Sequence, residues 1–272
     1  MKKEKRSPRV LIFAGTTEGR ILAEYAASLG LNCHISTATE YGEKILENID
    51  GIETASGRMD EGKIGDFIRE KQIDFVIDAT HPFAVEATLN IRRACDAEHT
   101  EYIRCLRESA VISQEEDAGI VTAGSVREAV AYLRHTKGNI FIATGSKELQ
   151  LYTEIEEWQE RCFARVLSTR ESVEQAVRTG FEGKHLIAMQ GPFSYELNLA
   201  MLRQIQAEYF VTKESGRAGG FAEKLRAAAE AGAVAVVIGR PEEEGESLEA
   251  VMKRMDELYK NALQTECLCD IL

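Results

Sequence analysis

Three clusters in this sequence combine residue types and spacings that can do chemistry. In "IDATHPFA", residues 77–84, a carboxylate (Asp78), a hydroxyl (Thr80) and an imidazole (His81) close an apolar run. Such groups can orient and transfer a proton, and His81 leads because its ring titrates near neutrality. A histidine beside a helix start also serves as a cap or a packed ring, and position alone leaves both roles open. In "AGTTEGR", residues 14–20, Gly15, Thr16 and Thr17 lie between an apolar run and a helical pattern. Backbone N–H groups and hydroxyls at such a place receive phosphate. The dinucleotide pattern G-x-G-x-x-G is incomplete, and Glu18 sets a carboxylate where an anion would bind. A capped strand–helix turn explains the same residues, since an acid is favourable in the first turn of a helix. Arg20 lies two residues beyond Glu18 and does not face it.

The third cluster is made of the segments "ATGSKEL" (143–149), "AMQGPFS" (188–194) and "VTKESGRAGG" (211–220), each of which joins glycine to a hydroxyl. Lys147, Lys213, Arg217 and Arg240 would place positive charge at one edge of a sheet, a receptor suited to a polycarboxylate. Any one of these lysines also reads as a solvated surface group. Ser36 and Thr37 end the second apolar run, where an NAD site usually carries an acid. Neutral hydroxyls suit the ribose of NADH and the 2′-phosphate of NADPH equally.

These residues need elements to hold them, and the sequence alternates short apolar runs with helical patterns. The runs at 10–14, 33–37, 52–56, 75–80 and 102–106 form one series. Those at 120–124, 139–145, 161–167, 185–191, 209–216 and 234–239 form a second. Helical spacing fills 125–135, 170–179, 194–206 and 220–231, and 246–264 reads as a closing helix. A βαβα order predicts α/β architecture with parallel sheets covered by helices on both faces. Two halves fit this better than one sheet of about eleven strands. The expected division is residues 1–110, a nucleotide-binding α/β domain, and 111–272, a second α/β domain that includes the closing helix.

The 272 residues carry a net charge of −12, which argues against nucleic acid or an anionic membrane as the main partner. Six cysteines stand at 33, 95, 105, 162, 267 and 269 with no C-x-x-C pair, and no His/Asp/Glu cluster suggests a bound metal. The N-terminus lacks a signal-peptide pattern, and no apolar run approaches the ~20 residues of a membrane span. A cytoplasmic protein with reduced thiols is the expectation.

Taken together, "AGTTEGR", "IDATHPFA" followed by Asn90, "YIRCLRES", "TGSKEL", "MQGPFSYELN" and "VTKESGRAGGFAEKLRAA" resemble the precorrin-6A (cobalt-precorrin-6A) reductase family of cobalamin biosynthesis, in order and across about residues 10 to 240. The resemblance implies two Rossmann-like parallel-sheet domains with a cleft between them. It implies an oxidoreductase that uses NADPH or NADH to reduce the C18=C19 double bond of a tetrapyrrole polycarboxylate, giving (cobalt-)precorrin-6B. Carried onto this sequence, Gly15, Thr16, Thr17, Glu18 and Arg20 belong to the cofactor turn, with Ser36 towards the adenosine and Thr80 towards the nicotinamide. Thr144, Ser146, Lys147, Gln190, Glu214, Ser215 and Arg217 fall on the substrate side. His81 and Lys213 are the candidate proton handlers, with water or a substrate carboxyl as the alternative. The turn "ASGRMDEG" (55–62) is less glycine-rich than in members acting on metal-free substrate, which favours the cobalt form and keeps NADH open as donor. Any cobalt would arrive inside the substrate. Another NAD(P)-dependent reductase or epimerase, and a non-enzymatic NAD(P)H sensor, are the rival readings. The oligomeric state is left open, with a monomer plausible.

Overall fold

The structure, a computed structural model, describes residues 7–267 except 39, 47–48, 109–118 and 217–218. The chain divides into two compact units, Met1–Arg107 with Glu242–Leu272, and Glu108–Pro241.

The first unit holds five strands, β1 (Arg9–Ala14), β2 (Asn32–Thr37), β3 (Ile52–Ser56), β4 (Phe75–Ala79) and β5 (Glu101–Arg104). Between them run α1 (Thr17–Ser28), α2 (Glu40–Leu46), α3 (Glu61–Lys71) and α4 (Val85–Ala97). The sheet order is β3-β2-β1-β4-β5, and every pair is parallel. The central strands β1 and β4 read as nearly unbroken apolar runs because both faces are covered. Val10, Ile12, Phe75 and Ile77 pack with Leu22, Ala23 and Ala26 of α1 on one face. Leu11, Phe13 and Val76 pack with Ile64 and Ile68 of α3 and Ile91 of α4 on the other. The chain runs outward from β1 to β3 and then returns to β4 beside β1. Connections therefore diverge at the β1/β4 tips, and this switch point is where open α/β sheets bind ligands. The geometry brings the loops after Ala14 and after Ala79 to one edge.

The second unit is a six-stranded parallel sheet of β6 (Ile120–Ala123), β7 (Asn139–Ala143), β8 (Cys162–Val166), β9 (Leu186–Ala188), β10 (Ala207–Lys213) and β11 (Val234–Ile238), in the order β6-β11-β10-β7-β8-β9. Its helices are α5 (Val126–Leu133), α6 (Leu149–Tyr152), α7 (Trp158–Arg161), α8 (Arg170–Thr179), α9 (Tyr195–Ile205) and α10 (Phe221–Ala231). Phe141 and Phe210 stack at 5.2 Å under Leu199, Leu202 and Phe221, the core beneath α9 and α10.

One expectation needs correction. The closing helix α11 (Leu248–Cys267) belongs to the first unit and not to residues 111–272. After Pro241 the chain returns to β5: Glu246 N–H donates to Arg104 O, and Leu106 N–H donates to Glu246 O, both at 2.8 Å. Val251 and Met255 are fully buried in the first core, and Tyr25 Oη donates to Asp256 Oδ1 at 2.7 Å. An amphipathic pattern specifies the face that a helix buries but not the sheet that receives it. Most of the expected junction, residues 109–118, lies outside the described residues. Met255→Ala should therefore lower the unfolding free energy of the first unit by about 2–5 kcal/mol, measured by denaturant titration. An unchanged midpoint would remove α11 from this core.

Candidate active site

The turn after β1 is built from Thr16. Its extended backbone (φ −136°, ψ 169°) makes it the N-cap of α1, with Oγ1 accepting from Gly19 N–H at 3.2 Å. The same hydroxyl donates to Ala79 O at 2.8 Å, tying the turn to the end of β4. Gly19 is required by packing, because a Cβ there would lie 2.9 Å from Ala14 Cα and 3.0 Å from Ala14 Cβ. Gly15 differs: an added Cβ would meet nothing within 4 Å, and its φ is not left-handed. Nothing in the fold demands glycine there. Its missing side chain leaves open space at the N-terminus of a twelve-residue helix, a cradle in which a diphosphate can approach the backbone. The residues present thus fit a dinucleotide.

Glu18 does not face that cradle alone. Its Oε2 accepts from Arg107 Nε at 3.1 Å, and both side chains are nearly buried. Arg20 pairs with Glu24 at 3.0 Å on the exposed face of α1, and Thr17 is exposed. Ser36 and Thr37 are buried at 4% and 3% exposure, so neither hydroxyl is displayed at the strand tip as a ribose-binding acid would be.

Asp78 organises the end of β4. It is fully buried, and its Oδ1 accepts from Thr80 N–H at 3.0 Å, Thr80 Oγ1 at 2.7 Å and Arg104 Nη1 at 2.9 Å. Tyr102 Oη donates to Oδ2 at 3.0 Å. Burial, and then the Asp78 carboxylate, push the Tyr102 phenol well up, so it remains a neutral donor. Arg104 Nη1 also reaches Thr80 O at 3.1 Å, while Nη2 forks onto both oxygens of Glu243 at 3.0 Å. Burial acts to lower the Arg104 pKa, but the Asp78 and Glu243 carboxylates outweigh it and raise the value.

The loop that this network holds carries His81, which is half-buried. Phe83 N–H donates to His81 Nδ1 at 3.3 Å, so the neutral ring carries its proton on Nε2. Ala84 N–H donates to His81 O at 2.7 Å, closing a turn, and α4 begins at Val85. Pro82 therefore sits in that turn, ahead of the first residue of α4.

In the second unit, Thr144 lies buried just beyond β7, its Oγ1 3.2 Å from Tyr152 Oη. Ser146 Oγ donates to Gln175 Oε1 at 3.3 Å, and Lys147 and Gln190 are exposed. Lys213 Nζ pairs with Glu148 at 3.1 Å. Glu214 accepts from Arg240 Nη2 and Gly216 N–H, both at 3.0 Å. Ser215 Oγ donates to Gly219 O at 3.0 Å and accepts from Lys224 Nζ at 3.2 Å. Arg217 lies outside the described residues. The expected row of four cations is thus partly neutralised within the chain, by Glu148 and Glu214. Cys33, Cys95, Cys105 and Cys162 are free and buried, and burial pushes their thiols up to about 12, which excludes them as nucleophiles near neutral pH. Among the described residues no group of three or more His, Cys, Asp or Glu could hold a metal ion.

Arg104, Arg107 and Glu243 are the residues that sequence reasoning passed over. The available signal was an arginine inside an otherwise apolar strand, a position where a charge is seldom buried without a partner.

The two glycines give opposite expectations. Gly15→Ala should leave stability unchanged or raise it by up to about 1 kcal/mol, yet weaken binding of a nicotinamide dinucleotide. Gly19→Ala should cost about 1–3 kcal/mol in denaturation. Undiminished dinucleotide affinity in Gly15→Ala would show that the cradle is not used.

Comparison with known proteins identifies the family. Residues 9–258 match the family described as precorrin-6x reductase CbiJ/CobK. The cobalt-precorrin-6A reductase of Methanothermobacter thermautotrophicus is 33% identical over 267 residues, covering 96% of this chain and 86% of the relative. That of Priestia megaterium is 32% identical over 234 residues, covering 85% of this chain and 90% of the relative. The solved structure of CobK precorrin-6A reductase shares the fold, with a TM-score of 0.72 at 23% identity over 92% of this chain and 97% of that one. No described helix is long and apolar enough to cross a membrane. The chain belongs to the precorrin-6x reductase family and is an oxidoreductase of cobalamin biosynthesis.

Proposed function

We propose that this chain reduces the C18=C19 double bond of cobalt-precorrin-6A to give cobalt-precorrin-6B, in the cytoplasm, with NADH or NADPH as donor. The observation that carries this reading is the similarity, over nearly the whole chain, to relatives that are cobalt-precorrin-6A reductases. The bound nicotinamide supplies a hydride. The residues of the chain supply binding, orientation and a proton. The α1 N-terminus and the open space at Gly15 receive the diphosphate, with Thr17 beside them and Thr16 keeping the turn in shape. Glu18 is held by Arg107 and acts on the shape of the turn, not as a free anion facing the phosphates. Ser36, buried in β2, acts by packing beside the adenosine end. Thr80, oriented by Asp78, and His81 lie towards the reacting carbons, and Nε2 of His81 hands over the proton. Lys213 is the second proton candidate, its ammonium held by Glu148. Thr144, Ser146, Lys147, Gln190, Glu214, Ser215 and Arg217 form the substrate side.

The direct test is anaerobic oxidation of NADH and of NADPH, each with precorrin-6A and with cobalt-precorrin-6A. Oxidation that depends on the cobalt macrocycle is expected, and its absence with folded protein would overturn the assignment. His81→Asn should lower kcat by about 100-fold or more while leaving the KM for the nicotinamide in place. An unchanged kcat would move the proton to Lys213 or to water.

A further inference from the structure

We propose that Arg165, in β8, is the receptor for one carboxylate of the substrate. This inference rests on the reading of that substrate as a polycarboxylate macrocycle. Arg165 is only 5% exposed, yet no carboxylate pairs with it among the described residues. Burial alone pulls its pKa down to about 10, which leaves it fully charged near neutrality. The contrast with Arg104 is direct: that equally buried guanidinium lies between Asp78 and Glu243. A buried cation without a counter-charge is costly, and an apolar side chain of similar length would serve packing better.

Its donors are unevenly used. Nη1 donates to Asn198 Oδ1 at 2.8 Å and touches Met201 Sδ at 3.5 Å. Asn198 is itself fixed, because its Nδ2 donates to Ser194 O at 2.8 Å and Phe193 O at 3.3 Å. The guanidinium lies 3.8 Å from the centre of the Phe193 ring and 5.1 Å from that of Phe141. These contacts hold the group rigidly. Nε and Nη2 have no hydrogen-bond partner among the described residues, and together they form the side-on fork that matches a carboxylate. Among the described residues the one side-chain polar atom that is both sealed and unpartnered is Arg104 Nε, so the unpaired nitrogens of Arg165 still reach solvent. Arg165 is the penultimate residue of β8, near the C-terminal strand ends, and Phe193 and Ser194 of the turn into α9 fix its position.

The test is equilibrium binding of cobalt-precorrin-6A, without nicotinamide, to the full chain and to Arg165→Met and Arg165→Lys. Arg165→Met should bind about 10- to 100-fold more weakly. Its ligand-free Tm should equal or exceed that of the parent, and its nicotinamide affinity should be unchanged. Arg165→Lys, which keeps the charge but loses the fork, should fall between the two, and it carries the test should Arg165→Met not fold. Parent-like affinity in the variant overturns the receptor and leaves the reaction standing. Should the parent itself ignore the macrocycle, the reaction falls, and citrate becomes the probe. A citrate-induced rise in Tm that is lost in Arg165→Met would still support a carboxylate site, whereas equal rises would overturn it.

Discussion

A buried ion pair governs the first unit. Asp78, with no exposure, and Arg104, with almost none, meet at the tips of β4 and β5. Such a pair adds little net stability over an apolar substitute, but removing one partner costs about 3–5 kcal/mol because the other charge is stranded. Its value lies in what it fixes. Asp78 holds both donors of Thr80, and Arg104 reaches the Thr80 carbonyl, so the loop leading to His81 has few alternative positions. On its other side Arg104 forks onto Glu243, in the segment that brings the chain back from the second unit. One guanidinium therefore fixes a loop of the candidate site and the start of the path to α11.

Much of this architecture was legible in the sequence, for a physical reason. Parallel strands covered on both faces must be largely apolar, and the runs at 10–14 and 234–239 fall on β1 and β11 to within one residue. The helix α8 was equally plain, with Thr169 as cap and Gly180 closing it in a left-handed conformation. Pairing over distance was not legible. Glu18 finds Arg107 across 89 positions, Arg104 finds Glu243 across 139, and α11 returns to the first core. Local pattern holds no record of which distant charge will neutralise a given one. For the same reason Lys213 and Arg240 read as available cations, whereas Glu148 and Glu214 occupy them.

The arginines of the molecule separate along this line. Arg104 and Arg107 are spent inside the fold, each matched by a carboxylate. Arg165 carries the same charge at the same depth, and among the described residues its contacts are an amide, a thioether and aromatic faces. The positive charge offered to an acidic ligand thus need not come from the exposed lysines of an acidic protein, where solvent screens it. A desolvated guanidinium held by packing attracts a carboxylate more strongly.

The central claim is that a nicotinamide hydride and a solvent-derived proton add across one bond of the macrocycle. A single turnover with nicotinamide dideuterated at C4, in ordinary water, tests it directly by mass and NMR analysis of the product. The account predicts a product that has gained one deuterium and one proton at C18 and C19. A reduced product containing no deuterium, or carrying it at any other carbon, would contradict it.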